Sequence, residues 1–393
     1  MHRETSPTVP KPSRPSPSRS RLVVFSDDWG RHPSSTQHLV RHLLPRFEVD
    51  WVNTIGTRRP GLTRADLARA VEKAASWVRT AGAAKPEASE DPAPRIHSPV
   101  HWPGFKNRAE RALNRRLLRR ALAPVLERDP APAAVITTVP ITADLAADFP
   151  GLNWTYYCVD DFAEWPGLDG GTLRTLERDL LNHASGVICV SEVLRRQLSR
   201  LGFDAQILTH GIDLDHWSGV RRRPLCGPGR RPIALYWGHA DRRLDADICL
   251  TLAETCDLRM AGRHDDVDER LARSPAVTWL GPVPYDRLPD LAEDADVLVM
   301  PYADLPVTRA MQPLKLKEYL ATGLPVVATP LPANRAWADA LDLTADPTRF
   351  ASLCLHRARR SLPEAQARAR ARLSGEGWDA KAAQFERWIT ASS

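Results

Sequence analysis

A lysine and a glutamate stand three positions apart in the segment 308–332, which reads TRAMQPLKLKEYLATGLPVVATPLP. Proline suits the first turn of a helix, where a missing N–H costs little, and glycine suits the position just after a helix end. Pro313 and Gly323 therefore predict a short helix between them, which leads into a buried strand. Lys315 and Glu318 then lie on the same face of that helix.

This pair has two interpretations. Opposite charges three positions apart can form a surface ion pair worth about 0.2–0.5 kcal/mol. Alternatively, free N–H groups near residues 311–314 attract an anion, Lys315 adds positive charge, and Glu318 accepts hydrogen bonds from two vicinal hydroxyls. A phosphate beside a diol is what a nucleotide diphosphate sugar presents. The spacing alone fits both interpretations.

The elements that would position this pair alternate between short apolar strands and helices. The alternation starts at RLVVFSDDW, where residues 22–25 form a run typical of a buried parallel strand, and restarts at IALYWG. It predicts an α/β fold with two doubly wound, Rossmann-like sheets that face a cleft. Ligands of such sheets bind outside the carboxyl ends of the strands, so the candidate site comprises the loops after VVFSDDWG, YYCVDD, ALYWG, RMAG and VLVMPY.

Changes in composition divide the chain. SGVRRRPLCGPGRRP is rich in Arg, Pro and Gly and is typical of a linker, whereas Pro, Ser and Arg in the first residues indicate disorder. A helix is expected over about 64–79. The predicted divisions are a tail over 1–20, a first domain over 21–217 with a long loop over 81–105 and a basic helix over 106–124, a linker over 218–232, a second domain over 233–375 and a terminal helix over 376–393.

The composition favours some partners and locations over others. The chain has 393 residues and a formal net charge of +6, which favours anionic partners without selecting one. Its six cysteines lack metal-type spacing, so we expect reduced thiols in a cytoplasmic protein. We expect no cofactor. Neither an apolar run of about 18 residues nor the apolar core of a secretory signal is present, so no membrane span is expected.

The segment 106–120 carries seven basic residues against one acid, Glu110. A basic amphipathic helix can lie on an anionic membrane surface, or it can be a solvated face packed on its domain by leucines. No nucleic-acid module or interleaved aromatic residues accompany it, so nucleic acid is not an expected partner. The basic residues are Lys106, Arg108, Arg111, Arg115, Arg116, Arg119 and Arg120, and the predicted apolar face is Leu113, Leu117, Leu118 and Leu122.

Several segments together resemble one enzyme family. The segment 308–332 is similar to the nucleotide-sugar segment of GT-B glycosyltransferases of group 1 (glycosyltransferase family 4), in the branch that acts in teichuronic acid and exopolysaccharide assembly. YYCVDDFAEWPG, LERDLLNHASGVICVSEVLRRQL, THGIDLDHW, YWGHADRRLDADICLTLAE, WLGPVPYDRLPDLAEDADVLVMPY and GWDAKAAQFERW resemble further segments of that branch in the same order. The resemblance covers about residues 21–390. It implies an acceptor-side first domain, a nucleotide-sugar-binding second domain and a terminal helix that crosses back to the first.

The resemblance also implies roles for particular residues. Glu318 would contact the nucleotide ribose, Gly238 and nearby cations the diphosphate, and residues 283 and 285 would flank the base. The implied donor-binding set is Gly238, His239, Arg242, Arg243, Gly262, Val283, Tyr285, Arg309, Gln312, Pro313, Leu314, Lys315 and Glu318. The acceptor and sugar side would hold Asp28, Trp29 and Gly30, and the catalytic candidates are Asp160, Asp161 and Lys315.

The sequence departs from the family at three positions. Many members carry a sugar-binding glutamate eight residues before the second one, but here that position is Ala310. His210 stands where Asn is common, and His239 stands where Arg is frequent. These changes bear on the sugar more than on the nucleotide.

The resemblance implies a retaining, metal-independent hexosyltransferase. It would move a sugar from a nucleotide diphosphate to a glycan, lipid-linked or small-molecule acceptor in cell-surface polysaccharide biosynthesis. The leaving phosphate would help to deprotonate the acceptor. Two other readings of the same fold remain: a sugar-nucleotide epimerase or phosphorylase, and a catalytically silent scaffold that binds glycan or partner enzymes.

Overall fold

The computed structural model describes residues 19–31, 33–53, 92–102 and 104–391. The predicted tail up to residue 18, the predicted helix over about 64–79 and the first part of the predicted loop, 81–91, lie outside the described residues. No described helix is long and apolar enough to cross a membrane. The domain divisions predicted from composition stay predictions, and the architecture is given below by its sheets.

The first sheet has seven parallel strands in the order β3-β2-β1-β4-β5-β6-β7. Its strands are β1 (Ser20–Ser26), β2 (Phe47–Asn53), β3 (Arg95–His97), β4 (Ala134–Thr137), β5 (Trp154–Cys158), β6 (Gly186–Cys189) and β7 (Gln206–Ile207). The apolar run that predicted β1 is buried on both faces, as expected of a strand covered by helices. The order reverses between β1 and β4, which is where ligands of such sheets bind.

Five described helices within residues 35–200 cover the first sheet, and the helix over 378–390 packs there as well. They are α1 (Ser35–Leu43), α2 (Arg108–Leu126), α3 (Ala143–Asp148), α4 (Gly170–Leu181) and α5 (Glu192–Arg200). Side-chain oxygens of Ser34, Asn107, Asp169 and Ser191 cap the first turns of α1, α2, α4 and α5. Capping by short polar side chains fixes where each helix leaves the loop at the sheet edge.

The second sheet has six parallel strands in the order β10-β9-β8-β11-β12-β13. Its strands are β8 (Ile233–Trp237), β9 (Asp257–Ala261), β10 (Val277–Gly281), β11 (Val297–Met300), β12 (Val326–Ala328) and β13 (Asp342–Leu343). The remaining helices are α6 (Leu214–Ser218), α7 (Ala246–Thr255), α8 (Glu269–Ala272), α9 (Leu288–Glu293), α10 (Pro306–Ala310), α11 (Leu314–Ala321), α12 (Pro332–Arg335), α13 (Pro347–Ala358), α14 (Glu364–Arg370) and α15 (Trp378–Thr390). Two doubly wound sheets confirm the predicted fold class.

The last helix belongs to the core of the first domain. Trp378 and Phe385 of α15 are buried among the residues that pack on the first sheet. The Trp378 ring stacks on His38 of α1, with centroids 4.6 Å apart and planes 5° apart. Gly211, in the chain between the sheets, lies so close that an added Cβ would be 2.6 Å from the Trp378 ring. The chain therefore crosses back after the second domain.

A buried lysine ties α11 to this crossing. Lys317 is 2% exposed, and its Nζ donates to the carbonyl of His210 and to Glu376. Lys381 of α15 donates to the same Glu376 at 2.7 Å and to Thr209 at 3.0 Å. Burial lowers the pKa of Lys317 to about 8, although Glu376 opposes that shift. The helix expected to bind a ligand is thus fixed to both the linking chain and α15.

The basic helix differs from its prediction in its apolar face. Leu118, Leu122 and Leu126 are buried, together with the polar Asn114, whereas Leu113 is 43% exposed. The buried residues recur every fourth position, so Leu113 lies off that stripe. Asn114 is buried because its side chain bonds the backbone of residues 102 and 104. The prediction that Leu113 packs inward was therefore wrong.

Candidate functional site

Two glycines meet at the carboxyl edge of the second sheet. Gly238 follows β8 with a φ of 127°, and Gly262 follows β9 with a φ of 136°. A Cβ on Gly262 would lie 2.1 Å from the Gly238 carbonyl oxygen, and the Gly238 N–H donates to Ala261 at 2.8 Å. Both positions require glycine, because side chains avoid these φ values and no space exists for a Cβ.

Lys315 lies against this turn. Its Nζ would be 2.2 Å from a Cβ on Gly238, so the glycine also leaves room for the ammonium group. The ammonium donates to the phenol oxygens of Tyr236, at 3.0 Å, and Tyr302, at 2.8 Å. It also lies 4.2 Å from the Tyr236 ring centroid, within cation–π range. Tyr236 lies near the end of β8, and Tyr302 follows β11. Neither was predicted from the sequence as a site residue.

Glu318 lies one turn further along α11 and is 8% exposed. Its Oε2 accepts a hydrogen bond of 3.1 Å from the indole N–H of Trp237. Burial raises the pKa of Glu318 to about 7, while the Trp237 hydrogen bond and the Lys315 charge oppose the shift. Lys315 and Glu318 are therefore not an exposed surface pair, because each has a partner in another part of the second domain.

An aromatic group extends the site beyond Glu318. Trp237 stacks on Trp217 at 5.2 Å with planes 1° apart, and the Trp217 indole N–H donates to the Tyr285 hydroxyl at 3.2 Å. Tyr285 stacks in turn on His216 at 4.6 Å. Val283 is half-buried in the same loop as Tyr285. Trp217 and Trp237 were not predicted as site residues. The sequence signal for Trp237 is the aromatic pair Tyr236 and Trp237, which directly precedes the Gly238 turn at the end of a strand.

The cationic candidates separate into an inward and an outward set. Arg243 bonds Asp241 at 2.8 Å and lies 4.5 Å from the ring centroid of Trp165, a residue of the first domain. The His239 ring lies 3.6 Å from Asp241, and burial lowers its pKa. Arg242 and Arg309 instead form exposed ion pairs with Asp266 and Asp304.

The sequence predicted that Pro313 lies in the first turn of a helix, whereas in the structure it lies just before α11. Pro313 is the N-cap of α11, Gln312 precedes it half-buried, and α10 ends at Ala310. Leu314 packs against the first domain's core. Ala310 is fully buried at that interface, and its carbonyl accepts from Ser191 at 2.6 Å. A larger side chain at position 310 has no room there without a shift of the two domains.

The first domain contributes two carboxyl groups after β5. Burial raises the pKa of Asp160 to about 7; Arg243 of the second domain opposes that shift and Asp161 reinforces it. Asp161 accepts a hydrogen bond of 3.0 Å from Gln197. Asp160 thus lies close enough to the Gly238–Arg243 loop to interact with its charge.

The loop after β1 is held by hydrogen bonds to an aspartate that was not predicted from the sequence as a site residue. Asp27, not Asp28, accepts the hydrogen bonds of Ser26 at 2.9 Å and Ser34 at 2.7 Å, and burial raises its pKa. Asp28 pairs with Arg31 at the surface. Trp29 packs edge-on against Trp51 at 4.7 Å, and the Gly30 N–H donates to Gln37 at 3.0 Å.

In the described ranges, no group of three or more His, Cys, Asp or Glu side chains is arranged to hold a metal ion. The six cysteines are all buried and free. Independence of metal stays a prediction.

Part of the second domain matches a known family. Residues 244–357 match the family model described as glycosyl transferases group 1. The putative teichuronic acid biosynthesis glycosyltransferase TuaH of Bacillus subtilis (strain 168) is 45% identical over 176 residues, which cover 41% of this chain and 44% of the relative. The match thus spans less than half of that protein's length.

Solved structures resemble almost the whole chain. Sucrose-phosphate synthase from Thermosynechococcus elongatus has a TM-score of 0.67 at 17% identity, over 95% of this chain and 100% of that one. Anabaena HepE in complex with UDP-glucose has a TM-score of 0.62 at 12% identity, over 95% and 100%. At these identities the likeness shows the fold alone.

We expect stability to depend on pH through Glu318. Its folded pKa of about 7 exceeds the ordinary 4.5, so the folded chain binds more protons between these values, and the free energy of unfolding falls as pH rises through this window. Glu318→Gln keeps the side-chain size and an oxygen that accepts from Trp237, but it does not titrate. The fall in the free energy of unfolding between the two pH values should therefore be smaller in the variant, by at most about 3 kcal/mol. Urea denaturation at pH 5 and pH 7.5 measures it.

The matched control is Glu254→Gln, an exposed position of the same domain. It should leave the pH dependence unchanged. A Glu318→Gln variant with the parent's pH dependence would contradict a protonated, buried carboxyl group.

Proposed function

We propose that this chain, a protein of the GT-B fold whose residues 244–357 form a group 1 glycosyltransferase domain, transfers a sugar from a nucleotide diphosphate to an acceptor at the first domain. The observation that carries the proposal is the convergence of Gly238, Lys315 and Glu318 at the carboxyl edge of the second sheet. A glycine turn without side chains, a cation and a carboxyl group suit a diphosphate followed by a ribose.

The donor would lie along α11. The diphosphate takes the Gly238 turn and the Lys315 ammonium, and the ribose diol donates to Glu318. Two hydroxyl donors favour the charged carboxylate, so ribose binding lowers the pKa of Glu318 from its raised value. The base takes the side of Tyr285 and Val283. HepE, which has the same fold, was solved with UDP-glucose.

Transfer proceeds with retention of the anomeric configuration and needs no protein nucleophile. Negative charge grows on the leaving diphosphate, and fixed positive charge stabilises it more as the bond breaks. The departing phosphate oxygen takes the proton of the acceptor hydroxyl. The sugar is a hexose, and no metal ion takes part.

We expect nucleotide sugars to stabilise the chain against heat. A panel of UDP-, GDP-, dTDP- and CMP-sugars at 100 times the dissociation constant should include one that adds about 2.7 kcal/mol. Lys315→Ala and Glu318→Ala should reduce that shift, because they remove the diphosphate and ribose partners, whereas the exposed Glu254→Ala should keep it. If no nucleotide sugar stabilised the chain, the transferase and epimerase interpretations would both be rejected. The interpretation as a catalytically silent scaffold would then be left.

Asp160 is the candidate that faces the reaction from the first domain. Its carboxylate would stabilise positive charge on the sugar or orient the acceptor hydroxyl. Asp160→Asn should lower kcat about 100-fold, as loss of one charge-stabilising group does, with donor KM within about twofold. Because the pKa of Asp160 is about 7, wild-type kcat should rise as pH increases through 7, and the variant should lack that rise.

Asp161→Asn supplies the comparison, since that carboxylate is held by Gln197. It should lose less activity and keep the pH profile. Equal activity of Asp160→Asn and the parent would remove Asp160 from the reaction.

The acceptor is a glycan or a lipid-linked glycan of a cell-surface polysaccharide, and α2 holds the chain on the inner face of the cell membrane. Arg111 and Arg115 of α2 are already paired with Asp144 and Asp148 around a pocket of about 490 Å³. In the described part of the chain, no carboxylate oxygen lies within 4.0 Å of Arg108, Arg116 or Arg120. Beside them Val100, Trp102 and Leu113 are 58%, 49% and 43% exposed.

We expect the chain to pellet with anionic vesicles at low salt. Basic residues contribute about 1 kcal/mol each near such a surface, so reversing Arg116 and Arg120 to Glu should weaken binding by about 30-fold or more. Sedimentation with phosphatidylserine vesicles at 0.05 and 0.5 M salt measures it. Reversal of Arg273 and Arg287, exposed in the second domain, is the control with equal charge change. Salt-independent or absent pelleting would reject the membrane contact.

A further inference from the structure

Two chain segments, residues 236–238 and the loop that carries Tyr302, converge on the ammonium group of Lys315. Tyr236 comes from the end of β8, Tyr302 from the loop after β11, and Gly238 from the turn between them in space. The two phenol rings are 0% and 4% exposed, so their hydroxyl groups are fixed by the core. Lys315 itself stands in the first turn of α11.

The direction of each hydrogen bond is set by the groups present. Tyr236 donates its hydroxyl proton to the carbonyl of His239 at 2.8 Å, so its oxygen is an acceptor towards Lys315. Tyr302 lies with its oxygen 3.3 Å from that of Tyr236 and 2.8 Å from the Lys315 nitrogen. An ammonium group has three donors. Two are used by the phenols, which leaves one for a ligand beside the Gly238 turn.

The partners of Lys315 differ in kind from those of Lys317, Lys381 and Arg243. Lys317 and Lys381 share Glu376, and Arg243 bonds Asp241, so carboxylates offset their charges. Within the described ranges, no carboxylate oxygen lies within 4.0 Å of the Lys315 nitrogen. Phenol oxygens hold the ammonium group in place without neutralising it. A held but unneutralised cation is what stabilises an incoming polyanion.

We propose that Tyr302 and Tyr236 are positioning residues for the donor diphosphate, which hold Lys315 beside the Gly238 turn with one N–H directed at a phosphate oxygen. The inference rests on the proposed function. A free lysine side chain would lose rotamer freedom when it binds the ligand, whereas here that freedom is lost on folding. The two hydroxyl groups therefore act on affinity for the diphosphate and not on the nucleoside.

The test removes each hydroxyl group alone. A panel of UDP, GDP, ADP, CDP and dTDP first identifies the nucleoside diphosphate that wild type binds, and calorimetry then compares it with its own nucleoside. Tyr302→Phe and Tyr236→Phe should each weaken diphosphate binding about tenfold, because a hydrogen bond to a charged group is lost. Nucleoside binding should stay within about twofold. Loss of packing would weaken both ligands alike.

Tyr157→Phe is the matched control, since Tyr157 is a fully buried tyrosine of the first domain that packs on Phe385. It should bind both ligands as wild type does. If Tyr302→Phe and Tyr236→Phe bind the diphosphate as tightly as Tyr157→Phe does, this inference is overturned and the proposed function is not. Failure of wild type to bind any nucleoside diphosphate would overturn the proposed function and this inference together.

A double-mutant cycle separates positioning from direct contact. If Tyr302 acts through Lys315, its removal should have no further effect on diphosphate affinity in a Lys315→Met background. Additive losses would show that the Tyr302 hydroxyl works independently of the ammonium group and would overturn the inference. Wild type, the two single variants and the double variant are compared as full chains.

Discussion

Three ionisable side chains on the eight-residue helix α11 each have a partner in the surrounding chain, and the site is built around these contacts. Unpaired charges in a protein interior are costly, so the surrounding chain has to supply acceptors or donors. Lys317 takes Glu376 and a backbone carbonyl, Glu318 takes an indole N–H, and Lys315 takes two phenols. One short helix thereby connects the glycine turn, the aromatic group and the crossing between domains.

Much of this arrangement followed from the sequence, for identifiable reasons. Apolar runs of four or five residues predicted the buried parallel strands, and Pro313 and Gly323 predicted the limits of α11. The same-face spacing of Lys315 and Glu318 fitted both a surface pair and a ligand site, and the family resemblance favoured the ligand site. Lys317 escaped notice because it lies two positions from Lys315, on another side of the helix, and its partners come from residues 210 and 376. No local pattern records a contact over such separations.

The adjacent residues Arg242 and Arg243 show why the cationic set could not be resolved in advance. Both follow the glycine turn, but Arg243 is buried against Asp241 and Trp165 while Arg242 is exposed beside Asp266. Their difference depends on the turn's backbone path and on a residue of the other domain. The matched family region 244–357 contains Tyr302, Lys315 and Glu318, whereas Gly238 and Tyr236 lie before it. The candidate site therefore extends beyond the segment that matches the family model.

The position of α15 has a consequence for how the chain is made. Trp378, Ala382, Phe385 and Ile389 complete the apolar packing around α1 and the first sheet, yet they follow the entire second domain in the sequence. On the ribosome, domains near the N-terminus generally fold first. Here the first domain keeps part of its core uncovered until the second has been synthesised. The core of the first domain is thus completed only after the second domain has been made.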